Sequence, residues 1–430
     1  MSDMRAADVA GWIGAREQRW IRDLEELVSI PTGWGDRDGL ERARSWCAAR
    51  AAALGATVDR VAGDPRPDWL REGESAGGSR DGGDVLVIRG GAVGSPSHEA
   101  SRAASAAISG PGGCAGLRVL LSCHLDTVHD PRGDFRALGP EQGGHRCGPG
   151  AVDMKGGVVA ALAALEAVRA LGVPLQWTLA LNADEEAGSF ASMRALRGLA
   201  SQHDVGLVTE PPMPDGALVV ARPGAAQFRI DAFGRAAHAG RDFAAGISAV
   251  GLLAGAITSA LAISDVGAGR TVNIGPIEGG EATNIVPDRA SAWGAMRFRS
   301  RGDGERMGSA LMSLAHGAEG DVPRIAVRLV HNRPPKDATP QVLGLADLAI
   351  DCARELGVGM GTGTGSTGGV SDANVLQDVG LPCLDGLGVR GGNMHRRDEY
   401  MVTASLAERA SLLALLMARL AQRPSVPSRP

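Results

Sequence analysis

The stretch Leu121-Ser122-Cys123-His124-Leu125-Asp126-Thr127-Val128 decides how this chain is read. The apolar run Leu117 to Leu121 has the character of a buried strand, and beyond it stand a histidine and an aspartate two positions apart. Side chains at i and i+2 of a strand share a face. The imidazole and the carboxylate are therefore expected together at the strand's carboxyl end, where open α/β sheets place their ligands. An imidazole that gives one ring nitrogen to a metal wants an acceptor on the other. Asp126 can supply that acceptor or face the reaction centre. Alone, H-x-D is equally a polar strand end in a loop, so its company decides.

Outward from this strand, the chain alternates strands and helices with acids at the strand ends. The turn Cys147-Gly-Pro-Gly-Ala-Val-Asp153 runs into an apolar helix predicted over Val158 to Leu171, where Asp153 could be a mere N-cap. A strand predicted over Leu175 to Ala183 ends in Asp184-Glu185-Glu186, three acids whose mutual repulsion calls for a cation or strong solvation. A further strand, Val205 to Val208, ends in Thr209-Glu210. This order predicts a doubly wound α/β domain. Upstream, helices are expected over Gly11 to Val28 and Leu40 to Leu54, and a strand over Thr57 to Val61. Residues 63–83 and 90–116, rich in Gly, Ser, Ala and charged groups, read as surface insertions, with His98 solvated in the second.

From about Gly216 the order becomes β-α-β-β-α-β, the split βαβ sandwich of ferredoxin-like domains. The Pro-rich run Asn332 to Asp337 reads as a return linker, after which the α/β pattern resumes through a final helix, Ala404 to Leu420. The expected organisation is thus a catalytic domain in two parts, 1–216 and 332–423, an inserted domain, 217–331, and a tail, 424–430. Gly363-Thr-Gly365-Ser-Thr-Gly368 matches G-x-G-x-x-G but follows a helix instead of a strand, so a dinucleotide site is rejected in favour of a backbone loop close to a substrate.

The 430 residues exceed one ordinary core, in keeping with two domains. A net charge of −5 argues against nucleic-acid or anionic-membrane partners. Six scattered cysteines without a C-x-x-C pair suggest a reducing, cytoplasmic setting, and neither a signal peptide nor a membrane span is evident.

His124, Asp153, Glu186, Glu210 and His395 form the constellation that matters. Each sits at a predicted strand end or tight turn. Two imidazoles and three carboxylates suit Zn²⁺, with Co²⁺ or Mn²⁺ as alternatives. If one carboxylate bridges, two ions about 3.5–4 Å apart could polarise a carbonyl and activate water at neutral pH.

With these motifs in order, the chain resembles the two-zinc amidohydrolase and exopeptidase family of glutamate carboxypeptidase, acetylornithine deacetylase, succinyl-diaminopimelate desuccinylase and aminoacylase. The likeness rests on H-L-D-T-V, G-P-G-x-x-D-x-K-G-G, D-E-E-x-G-S, E-P, G-R-A-A-H-A-G, T-N-I-V-P and the late H-x-x-x-E-Y, and it is closest to the glutamate carboxypeptidase branch. The resemblance implies a zinc-exopeptidase catalytic domain, an inserted dimerisation domain and two zinc ions per chain. Asp153 would bridge them, His124 and Glu210 would complete one, and Glu186 and His395 the other. Glu185 would be the general base, and Asp126 would support His124 and tune Glu185. His238 would reach the partner subunit's site and stabilise the oxyanion, while Asn284 and Arg297 would contact substrate. A cis peptide after Asp153 is also implied, although Met154 stands where some relatives have a second Asp.

The expected activity is hydrolysis of an amide or peptide bond next to a carboxylate-bearing residue, by a homodimer acting on N-acyl amino acids or short peptides. An N-acyl-amino-acid deacylase is the alternative within enzymes. A non-catalytic metal-binding relative is the rival of another class, and retention of Glu185 argues against it.

Overall fold

His124 is the last residue of a strand, Arg118–His124, inside a six-stranded sheet. The computed structural model describes residues 4–33, 35–70, 83–91, 117–359 and 363–422. Most of the expected 63–116 insertions, His98 and the tail 424–430 lie outside the described residues. The sheet order is Thr57–Val61, Val85–Gly90, Gln176–Asn182, Arg118–His124, Val205–Val208 and Cys383–Leu384. The last four strands run parallel, and the first two are antiparallel additions at one edge. The doubly wound reading therefore holds for a mixed sheet.

Period-2 alternation sends side chains to opposite faces. Leu86, Ile88, Val119, Leu121, Leu179 and Leu181 join one core, with helices Gly156–Ala170, Pro340–Leu356 and Ser405–Gln422. Val85, Val87, Leu120, Ala180 and Val208 join a smaller one, with helices Met193–Ala200 and Asp372–Asp378. Helices thus cover both faces, which leaves the carboxyl ends of the parallel strands as the open edge. In register, His124 faces Asn182 across the Arg118–His124 and Gln176–Asn182 pair. The chain segments after these strands consequently emerge side by side.

A second sheet is four-stranded and antiparallel, in the order Thr271–Gly279, Arg289–Phe298, Gly224–Phe233 and Arg324–Arg333. Helices Ala249–Leu261 and Arg301–Met312 pack on it, completing β-α-β-β-α-β. Ala226, Phe228, Ile230 and Ala232 bury every second residue of the Gly224–Phe233 strand, the signature of a sheet covered on one side. Ser248 and Ser300 cap the two helices by accepting N–H groups of Gly251 and Asp303.

Several local expectations change. The segment Gly11 to Val28 is two helices, Ala6–Gly14 and Glu17–Val28, because the chain turns at Ala15-Arg16. A strand not foreseen, Leu218–Ala221, pairs in parallel with Thr364–Ser366, so part of the glycine-rich loop is strand. Asn332 and Arg333 belong to the last strand of the second sheet and not to a linker. Among the described residues, no helix is long and apolar enough to cross a membrane.

Candidate active site

Three adjacent parallel strands deliver the candidate donors. His124 ends the first, Glu185 and Glu186 follow the second, and Glu210 follows the third. Asp153 comes from the turn before helix Gly156–Ala170. That helix has no side-chain cap at its N-terminus, so Asp153 is not acting as an N-cap. His395 comes from the loop ahead of strand Tyr400–Val402, with a left-handed backbone at φ 65°. The Asp153–Met154 peptide is cis.

Asp153 sits at the centre. Its Oδ1 lies 3.2 Å from His124 Nε2, and its Oδ2 lies 3.4 Å from His395 Nε2. The His124 ring also approaches Glu210 Oε1 at 3.8 Å, and the His395 ring approaches Glu186 Oε2 at 3.3 Å. Each oxygen of one carboxylate thus faces a different imidazole, and each imidazole has a second carboxylate of its own. This donor set fits two borderline divalent cations sharing a bridging carboxylate.

Hydrogen bonds to Asp153 and Glu186 push His395 up to about 10. Burial opposes charge on His124, yet Asp126, Asp153 and Glu210 raise it well above the usual imidazole range. Burial likewise disfavours the Asp153 carboxylate, but its hydrogen bonds with both imidazoles outweigh that and hold its pKa low. Burial raises Glu186 and Glu210. Cation binding would displace protons from such groups.

Glu185 is set apart from the other acids. It lies within reach of His124 and Glu210, with donor atoms inside 4.8 Å of one another. Its Oε1, however, accepts a hydrogen bond from Arg333 Nη2 at 2.8 Å. Burial pushes Glu185 up to about 8, against the pull of Arg333. Arg333 is itself fully buried, and it also donates to Gly188 O at 3.1 Å and Ser189 Oγ at 2.7 Å and lies 3.4 Å from Asp372. Sequence reasoning missed it, because an arginine inside Asn-Arg-Pro-Pro looks like linker.

Asp126 accepts the backbone N–H groups of Glu185 at 3.2 Å and Glu186 at 2.9 Å. Its expected support of His124 comes chiefly through its own carbonyl, 2.9 Å from Nδ1, with the carboxylate at 3.5 Å. Asp184, the first of the three consecutive acids, turns away and accepts from Ala191 and Ser192 N–H, which removes much of the expected repulsion. Another buried carboxylate, Glu399, takes three N–H groups of the Asp153 turn; its only sequence trace is the late H-x-x-x-E-Y.

The second sheet's candidates are not gathered with these donors in any contact between described residues. His238 is exposed, and its Nδ1 accepts N–H groups from Gly240 and Arg241. Asn284 is exposed nearby, its carbonyl accepting the Ala239 N–H. Arg297 is half-buried; burial and the neighbouring Arg333 lower its pKa. His203, which belongs to no motif, is buried against Leu199 O and Thr178 Oγ1.

The model of peptidase family M20/M25/M40 matches residues 120–419. Carboxypeptidase G2 of Pseudomonas sp. (strain RS-16) is 28% identical over 401 residues, covering 92% of this chain and 88% of its own. A succinyl-diaminopimelate desuccinylase of Methylorubrum populi is 28% identical over 332 residues, covering 71% and 83%. Among solved structures, the dipeptidase Dug1p from Saccharomyces cerevisiae shares the fold at a TM-score of 0.71, with 14% identity over 98% of this chain and 99% of that one. The chain belongs to peptidase family M20/M25/M40 and is a metal-dependent hydrolase of the peptidase and amidohydrolase type.

Proposed function

We propose that the protein is a two-zinc hydrolase cleaving an amide or peptide bond next to a carboxylate-bearing residue, in the manner of a carboxypeptidase. The observation that carries this reading is Asp153, whose two oxygens face two imidazoles beside an acid, Glu185, gripped by Arg333. Similarity to carboxypeptidase G2 over 92% of the chain supports the substrate class.

On this reading Asp153, placed between the two imidazoles, would be shared by two zinc ions that His124 and Glu210, and Glu186 and His395, would help to hold; Co²⁺ or Mn²⁺ would suit the same donors. When bound, the ions supply the charge that polarises a scissile carbonyl and acidifies water. Glu185 takes the proton of the attacking water at Oε2, since Oε1 is engaged by Arg333, and returns it to the leaving amine. Asp126 keeps Glu185 and Glu186 in place through their N–H groups. Arg297 grips a substrate carboxylate, helped by Asn284. Among the described residues Arg297 has no carboxylate partner, and a second arginine stands close, so an anion suits the space.

The reading includes a homodimer joined through residues 217–331, with 1–216 and 332–423 forming the catalytic part. Phe243, Val250 and Ile277 of that region are exposed apolar side chains that such an interface would cover. His238, exposed and without a carboxylate partner among the described residues, would on this reading serve the partner's oxyanion. A cytoplasmic setting is in keeping with the free thiols Cys47, Cys123, Cys147, Cys352 and Cys383. Likeness to a desuccinylase favours the second reading, an N-acyl-amino-acid deacylase.

The test is a zinc-reconstituted screen of dipeptides and N-acyl amino acids, each with free and amidated carboxyl terminus, scoring released amine. Loss of turnover on amidation supports the carboxypeptidase reading, while cleavage that follows the acyl group alone supports the deacylase. Metal analysis should find close to two zinc ions per chain, with chelation abolishing activity reversibly. No turnover in a metal-loaded protein would leave the non-catalytic relative.

A further inference from the structure

Glu399 stands four residues beyond His395, just before strand Tyr400–Val402, and its side chain is only 1% exposed. Its Oε1 accepts the N–H groups of Val152 at 3.0 Å and Asp153 at 3.2 Å, and its Oε2 accepts that of Gly150 at 3.1 Å. His129 donates from Nε2 to the same Oε2 at 2.5 Å, and its ring packs edge-on against Phe135. The Glu399 carbonyl also receives the Gly148 N–H at 3.0 Å. N–H groups converging in a tight turn form a concavity that ordinarily attracts an anion. Here the anion is the chain's own, brought from the segment that carries the other candidate ligand.

That connection has a consequence for geometry. Strand Tyr400–Val402 pairs with His145–Cys147, so the backbones of the two ligand segments already run side by side. The Ala151 N–H is held by the Gly148 carbonyl, but pairing leaves the amides of residues 150, 152 and 153 free to turn. Glu399 ties down all three, including the N–H of Asp153 itself, and so fixes the direction in which the Asp153 carboxylate leaves the backbone. A carboxylate shared by two cations tolerates little error, about 0.5 Å in a preorganised site.

We propose that Glu399, steadied by His129, is the positioning residue that aims Asp153 between the two cation positions and locks the Asp153 turn to the His395 loop. The proposal rests on the reading of Asp153 as a bridging ligand. In Glu399→Gln the size is kept, but one of the two acceptors becomes an NH₂ group facing an N–H donor, so the turn loses part of its hold. Groups that hold a ligand in place without touching the metal are worth roughly 10- to 100-fold in metal affinity.

The experiment is zinc affinity by competition with a chromophoric chelator, on wild type, Glu399→Gln, His129→Phe and Leu24→Ala. Leu24 is fully buried in the helical core and serves as a control for general destabilisation. Glu399→Gln should weaken both zinc steps within that range, and His129→Phe should weaken them less but in the same direction. Leu24→Ala should lower the unfolding midpoint and leave zinc affinity unchanged. Affinity in Glu399→Gln equal to wild type, or reduced no more than in Leu24→Ala, overturns the proposal. Should Glu399→Gln fail to fold, His129→Phe is read alone, and unchanged affinity there overturns it. If Asp153→Asn binds zinc as tightly as wild type, the underlying ligand reading fails instead.

Discussion

At the scale of single residues, the division of labour between Glu185 and Glu186 is the sharpest question. The two are adjacent, and both N–H groups are held by Asp126, yet one carboxylate meets Arg333 and the other His395. Glu185→Gln should retain zinc and lose turnover by on the order of a hundredfold or more, because the amide cannot take the proton. Glu186→Gln should instead lower zinc content, read by metal analysis after dialysis. Equal metal loss in both variants would refute the assignment. Arg333→Lys keeps the charge but not the fork that reaches Glu185, Gly188 and Ser189 together. It should lower kcat about tenfold, equivalent to ~1.4 kcal/mol, with KM little changed. In a Glu185→Gln background the same substitution should cost almost nothing further. Multiplicative losses would show a purely structural arginine.

At the scale of elements, the Thr209-Glu210 segment depends on two glycines from different parts of the fold. A Cβ at Gly157, in helix Gly156–Ala170, would stand 2.2 Å from the Thr209 carbonyl; one at Gly388 would stand 2.1 Å from the same oxygen. The backbone that presents Glu210 is thus clasped between a helix and the loop after strand Cys383–Leu384. Overpacking of a tight core costs typically 1–3 kcal/mol, and here the yielding part carries a candidate ligand. Gly157→Ala should therefore lower the unfolding midpoint and zinc affinity together. Gly198→Ala, on a helix where an added Cβ meets nothing within 4 Å, should leave zinc affinity unchanged and raise the unfolding midpoint slightly, since Ala favours the helix over Gly. A Gly157→Ala protein that binds zinc normally would show that the helix gives way instead of Glu210.

At the scale of the whole molecule, the placement of His238 makes a dimer testable through activity. It lies on the second sheet's side of the molecule, exposed, while Glu185 is half-buried at the strand ends of the first. His238→Ala should keep zinc and folding and cost roughly 3–4 kcal/mol of transition-state stabilisation if it serves the oxyanion. Mixing His238→Ala with Glu185→Gln should restore part of the activity, since each mixed dimer would hold one site with both groups intact. No recovery, despite demonstrated subunit exchange, would place His238 in its own chain's site or outside catalysis.

What the sequence determined by itself is the local part of this protein. Short apolar runs leading into His124, Glu185 and Glu210, and the Gly-Pro-Gly turn before Asp153, are short-range patterns, so the strand ends and the donors on them could be read directly. The β-α-β-β-α-β order was legible for the same reason, since each element carries its own period and caps. Tertiary structure alone decided how those donors are held. Arg333 reaches Glu185 across 148 positions, and Glu399 reaches the N–H of Asp153 across 246. Nothing local marks either contact, because a buried charge is placed by the partner that compensates it, and that partner is known only once the chain has folded. A strand over Thr57 to Val61 was legible, but its antiparallel place at the sheet edge and the Leu218–Ala221 pairing were not: a strand's neighbour and direction are properties of the sheet, not of its own residues.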